Sequence, residues 1–257
     1  MILVGCSGWS YRDWKERFYG KSNPSLQYYS HFFNAVEVDS TYYRMPSKNM
    51  VKSWVERFNP GIIFTLKMPG DISHGNYELS QKINLWNTFE ETVIKTVSRV
   101  QGSVKVLMTI PPGILDMEDY IQKISKITSS YENLCIEPRV KDPRKYESIS
   151  KIVEDNGFIP VSIDNYFINL DKATGSRNVC YIRLHGRNTD FFNSLAGMEK
   201  FNYDYSQREL ENISKVVEDA TTQFQEVYVF FNNHPNGNAP LNAIALSRIL
   251  GINKEFF

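Results

Sequence analysis

The stretch Val179-Cys180-Tyr181-Ile182-Arg183-Leu184-His185 alternates aliphatic and polar side chains with a period of two. That is the period of a β-strand, with Tyr181, Arg183 and His185 on one face and Cys180, Ile182 and Leu184 on the other. Aliphatic residues of one parity pack on helices, so the polar parity faces whatever the strand encloses. Seven further runs read the same way, at 3–7, 35–39, 62–67, 104–109, 134–139, 160–164 and 227–233, and each ends in polar or charged residues. Helical-looking segments separate them. Eight strands alternating with helices over about 250 residues predict a (β/α)8 TIM barrel, expected as a single domain over residues 1–257.

The intervening segments carry helical stripes: Leu85, Phe89, Val93 and Val97; Ile121, Ile124 and Ile127; Leu210, Ile213, Val217 and Phe224. Asn23-Pro24 and Asp142-Pro143 read as an N-cap followed by proline at the first helical position, opening helices one and five. The first of these helices is expected to contain His31. Residues 165–178 are too few for a helix with two loops, so helix six is expected to be short or missing.

Composition narrows the function less than the fold. Lysines plus arginines number 29, as do aspartates plus glutamates, so no global field steers the chain to nucleic acid or membrane. No apolar run approaches the roughly 20 residues that span a bilayer. The chain enters a strand at once, without a basic and then apolar leader, and a cytoplasmic location is expected. Cys6, Cys135 and Cys180 all fall within strands, which suits buried reduced thiols.

In a barrel of this class the C-terminal strand ends form the active-site mouth. The inward parity there collects Glu37, Asp39, Lys67, Glu137, Arg139, Asp164, Arg183, His185 and Asn233. Lys67, Arg139 and Arg183 suit a phosphate or carboxylate, while Glu37 or Glu137 with His185 suit proton transfer. Aromatic residues interleaved with cations stand in the loops above: Trp9, Tyr11, Tyr42, Arg44 and Arg187 join Asp164 as expected ligand contacts, the rings suiting a base or sugar. Gly5 and Gly8 bracket Ser7, so backbone there can approach a ligand; Asn232 and Asn233 either fix a loop or bind hydroxyls.

No Gly-x-Gly-x-x-Gly, P-loop or nucleophile-elbow spacing occurs, and no His-x-x-x-His or Cys-x-x-Cys pair, among only four histidines, His31, His74, His185 and His234. No cofactor is expected. A single magnesium or manganese ion is the alternative, on Glu37, Glu137, Asp164 and His185.

Longer runs then resemble one family. Gly5-Cys6-Ser7-Gly8-Trp9-Ser10-Tyr11, Glu37-Val38-Asp39-Ser40-Thr41-Tyr42-Tyr43-Arg44-Met45-Pro46, Tyr181-Ile182-Arg183-Leu184-His185-Gly186-Arg187 and Phe230-Phe231-Asn232-Asn233 resemble the signatures of the domain-of-unknown-function 72 family. Trp14, Lys67, His74, Glu137, Arg139 and Asp164 fall in matching places, and His74 joins the expected ligand-binding residues on that ground. The resemblance implies a TIM barrel and no particular reaction; the family's barrel is similar in shape to endonuclease IV and sugar isomerases, which use metal at this mouth. This chain departs from the pattern at Val140, where the family usually has histidine, at Thr109, where glutamine is expected, and at Asp39, often asparagine.

The function expected is that of an enzyme, hydrolase-like toward phosphoesters, with a phosphate-bearing small molecule or single-stranded nucleic acid as partner and no membrane. The alternatives are a metal-assisted hydrolase or isomerase and a non-catalytic module that binds nucleic acid or protein.

Overall fold

A computed structural model describes residues 1–58 and 61–252. Its strands are β1 (Ile2–Cys6), β2 (Ala35–Val38), β3 (Ile63–Lys67), β4 (Val106–Thr109), β5 (Leu134–Glu137), β6 (Ile159–Asn165), β7 (Gly175–Ser176), β8 (Val179–Gly186) and β9 (Glu226–Phe231). They follow the order β1-β9-β8-β6-β5-β4-β3-β2, with the short β7 off this path, paired antiparallel to β8. A parallel bridge between Ser7 and Glu37 joins the ends of β1 and β2, so the eight strands make a nearly closed parallel barrel of the TIM type. The eight sequence-read strands coincide with these within two or three residues.

No helix forms between β6 and β8, as the spacing required. Asp164 Oδ1 accepts from Leu170 N, and Asn165 Oδ1 accepts from Phe167 N and Ile168 N, so side chains satisfy the loop backbone that a helix would otherwise satisfy. The chain then turns through Arg177 and Asn178, both at positive φ (52° and 64°), the tight hairpin geometry that matches strand twist.

The helix Pro143–Asp155 opens as expected, with the Asp142 side chain accepting from Arg144 N. The first helix does not. It is Leu26–Ser30, and its cap is Ser25, whose hydroxyl accepts from Tyr28 N. Ser25 is extended (φ −152°, ψ 149°) and can reach that amide, so helix begins after it rather than at Pro24. His31 is therefore the exposed C-cap, not a helical residue. Leu79–Phe89 and Lys95–Gln101 are joined by a π-helical turn, Glu90–Ile94. The wider turn shifts the buried stripe: Trp86, Phe89, Val93 and Val97 are buried, while Leu85 is half-buried. Phe224 lies beyond its helix, which ends at Thr221; an added Cβ on Gly175 would stand 2.9 Å from its ring.

Two compact units group along the chain: one of Met1–Glu37, Gly61–Ile63 and the chain from Ser162 on, the other of the stretch beginning at Val38 and Phe64–Val161. Among the described residues no helix is long and apolar enough to cross a membrane. The three cysteines are buried and form no disulfide.

Candidate functional site

In the first unit the inward parity of β8 meets the end of β2. Arg183 Nη2 donates to Glu37 Oε1 at 2.8 Å and to Ser7 Oγ at 3.3 Å, while Tyr181 OH donates to Glu37 Oε2 at 2.6 Å. Arg183 is 2% exposed and Glu37 fully buried. Two strong donors fill both carboxylate oxygens, so Glu37 serves here as the acceptor of an interior ion pair.

Asp164, at the end of β6, is equally engaged. It accepts two bonds from Arg187, with Nη2 at 2.8 Å and Nε at 3.0 Å, and one from Tyr205 OH at 2.8 Å. That hydrogen-bonded partner raises the Arg187 pKa, and burial followed by the Asp164 charge raises that of Tyr205. Arg187 also reaches Glu209 at 3.2 Å, tying the loop after β8 to the helix Gln207–Thr221.

Past β8 and β9, Asn232 joins two imidazoles: its Nδ2 faces His185 Nδ1 at 3.0 Å and its Oδ1 faces His234 Nε2 at 3.0 Å. His185 and His234 are each 2% exposed. Tyr11 stacks on His234 with ring centroids 3.9 Å apart and donates to Ser7 O at 2.7 Å. The Trp9 carbonyl accepts from Tyr19 OH. Asn233, fully buried, donates to Tyr203 O and Asn242 Oδ1, each at 2.8 Å.

In the second unit the arrangement is looser and more cationic. Lys67, at the end of β3, stands 3.3 Å from Asp39 Oδ1, which follows β2. The Lys67 ammonium also lies over the Tyr42 ring, 5.1 Å from its centroid. His74 meets the same ring edge-on at 5.6 Å. The backbone permits this because residue 70 is glycine: a Cβ there would sit 2.9 Å from the Tyr42 ring. Ser73 Oγ holds His74 Nδ1 at 2.7 Å, and Ser73 O accepts from Tyr120 OH at 3.1 Å.

Burial lowers the His74 pKa below its ordinary 6.5, and the charges of Arg139, Lys67 and Lys82 lower it further. The imidazole is thus held neutral in a positive field. Arg139 is half-buried, Glu137 is buried at the end of β5, Arg44 is exposed, and Tyr43, packed edge-on to Tyr42, is 81% exposed.

The contacts described join the expected residues in four groups. Ser7, Glu37 and Arg183 form one, Asp164 and Arg187 another, His185 and Asn232 a third, and Asp39, Tyr42, Lys67 and His74, in the field of Arg139, a fourth. Among the described residues no three His, Cys, Asp or Glu side chains gather as metal ligands. Tyr181 had a signal, since it shares the inward parity of Arg183. Ser73 and His234 had none, because no periodicity fixes the short helix that Ser73 ends or the turn that holds His234. A cavity of about 390 Å³ is lined by Arg12, Asp13, Lys15, Glu16 and Arg17, which follow β1, and by Asn236. Its cations are partly spent on structure: Lys15 donates to Ser22 O, and Arg17 to Asn236 O and Asn238 Oδ1.

Comparison with known proteins agrees with this fold. A family model described as protein of unknown function DUF72 matches residues 3–256. The UPF0759 protein YunF of Bacillus subtilis (strain 168) is 25% identical, over 98% of this chain and 95% of its own. The UPF0759 protein YecE of Escherichia coli (strain K12) is 34% identical over 29% of this chain and 26% of its own. The crystal structure of a DUF72 family protein from Thermotoga maritima MSB8 superposes with a TM-score of 0.81 at 27% identity, covering 98% of this chain and 99% of that one. The chain belongs to the DUF72 family, as the resemblance implied.

Proposed function

We propose that this protein is an enzyme acting on a phosphate-bearing ligand, with Lys67 and Arg139 holding the anion and His74 beside it. The observation that carries the reading is the Lys67–Tyr42–His74 group, in which Lys67 and His74 meet one ring and Arg139 and Lys82 add to the positive field at the imidazole. A neutral imidazole leaves the charge of the surrounding cations free for an anion, and a bound anion would in turn favour protonation of the ring. Glu137, at the end of β5 and two residues before Arg139, is the carboxylate of this reading. The exposed ring of Tyr43 supports a ligand with a planar ring, such as a nucleotide.

Roles first assigned to Glu37 and Arg183 pass to this group, because those two side chains neutralise each other in the interior. The buried reduced cysteines support a cytoplasmic location.

Thermal unfolding tests the anion site. Phosphate or sulfate should raise the melting temperature more than chloride at matched ionic strength, and Lys67→Met with Arg139→Met should remove that increment. Equal effects of phosphate and chloride on the wild type would overturn the reading.

A further inference from the structure

We propose that His74 selects a phosphate monoester over a diester, by taking up one proton as the dianion arrives beside Lys67 and Arg139. The inference rests on the anion reading above and adds to it the class of phosphate and the residue that recognises it.

The geometry makes His74 able to change charge in place. Its Nδ1 lies 2.7 Å from Ser73 Oγ, and a hydroxyl can donate to a neutral ring or accept from a protonated one. Ser73 is itself fixed, 3% exposed and with its carbonyl held by Tyr120 OH. The ring can therefore gain a proton without losing its anchor, leaving Nε2 as the nitrogen that meets a ligand. The backbone amide of His74 donates to Gly70 O at 2.7 Å, which sets the ring's base as firmly as its edge.

The charges around the ring explain why a dianion is needed. The charges of Arg139 after β5, Lys67 at the end of β3 and Lys82 in the helix Leu79–Phe89 all oppose protonation, and Lys67 and His74 share contact with the Tyr42 ring. Asp39 is occupied with Lys67, Asp71 on His74's own short helix is exposed, and Tyr42 and Tyr120 present phenols. An anion among these cations offsets their repulsion of the imidazolium, and two negative charges offset it more than one. A monoester carries close to two charges at pH 7 and a diester one. The proton comes from solvent or buffer and stays on the ring while the ligand is bound; no covalent bond changes. By linkage, the factor by which the ligand strengthens proton binding is the factor by which the proton strengthens ligand binding.

Calorimetry with methyl phosphate and dimethyl phosphate, at pH 7 in PIPES and in Tris, reads the protons taken up. Labelled-histidine NMR follows His74 among the four histidines. Methyl phosphate should bind with uptake approaching one proton and raise the His74 titration midpoint. Dimethyl phosphate should bind about tenfold more weakly and with no uptake, the ratio expected when the ring is protonated in one complex and neutral in the other.

His74→Gln, with His74→Asn as a second variant should the first fold poorly, should still bind methyl phosphate but lose both the uptake and the preference. Methyl phosphate binding to wild type without proton uptake, or an unchanged preference in both variants, would overturn this proposal and leave the anion reading standing. Binding of neither ester would overturn both.

Discussion

Arg183 Nη2 and Glu37 Oε1 face each other at 2.8 Å with both side chains withdrawn from solvent, so a full ion pair lies in the interior of the first unit. Such a pair contributes little net stability compared with apolar packing, yet losing one partner strands the other charge in a medium that cannot solvate it. Arg183→Met should therefore cost about 3–5 kcal/mol. The double variant Glu37→Gln with Arg183→Met should recover part of that loss. Urea unfolding of the wild type, both single variants and the double decides it; a double variant as unstable as the sum of the singles would contradict the pairing.

Gly5 makes a second sharp prediction. A Cβ built on it would lie 2.0 Å from Ala35 O and 2.7 Å from Tyr29 OH, the first a backbone atom of the neighbouring strand. Tyr29 OH is also what Cys6 N donates to and what in turn donates to Ala35 O, so the ring cannot simply swing away. Gly5→Ala should cost about 3 kcal/mol or more, beyond ordinary overpacking, because strand β1 must move. A melting temperature within a degree or two of wild type would show that the strands part more easily than this spacing allows.

The strands were legible because each buries one aliphatic face, and a period of two survives any detail of loop path. Even the missing helix between β6 and β8 followed from length alone. The helix beginning near Pro24 was misplaced because Ser25, one residue on, is an equal cap and reaches Tyr28 N. The site was legible only as strand-end residues. Parity brought Glu37 and Arg183 to one interior face but could not show that they pair, since pairing depends on side-chain length and neighbouring donors such as Tyr181. His74 is the C-cap of a four-residue helix after β3, where no periodicity points, and only the resemblance marked it.

The three cysteines should be inert in the folded protein. Burial pushes the Cys6 thiol well up and that of Cys180 up to about 12, so neither supplies thiolate near neutral pH. Cys135 is buried too. A disulfide reagent such as Ellman's should react with no thiol on the minutes scale without denaturant and with all three after unfolding. Fast labelling of one equivalent in the native state would mean that its strand opens.

His74 also predicts how stability changes with pH. Its pKa is lowered in the folded protein, first by burial and then by Arg139, Lys67 and Lys82, whereas the unfolded chain keeps a value near the ordinary 6.5. As pH falls through about 6.5 the unfolded state takes the proton first and is favoured by it. The neutral ring's contribution is thus fully present above that pH and is lost progressively below it, until the folded form is protonated as well. Wild type should lose melting temperature between pH 7 and 5 faster than His74→Gln, whose side chain does not titrate. Subtracting the two curves removes the shared titrations of carboxylates and the other histidines. Methyl phosphate should reverse the difference between the two curves, because an anion beside Lys67 and Arg139 lifts the folded pKa above the unfolded one. Parallel curves without ligand would show that His74 is not held neutral by these cations, and the anion site would lose its electrostatic basis.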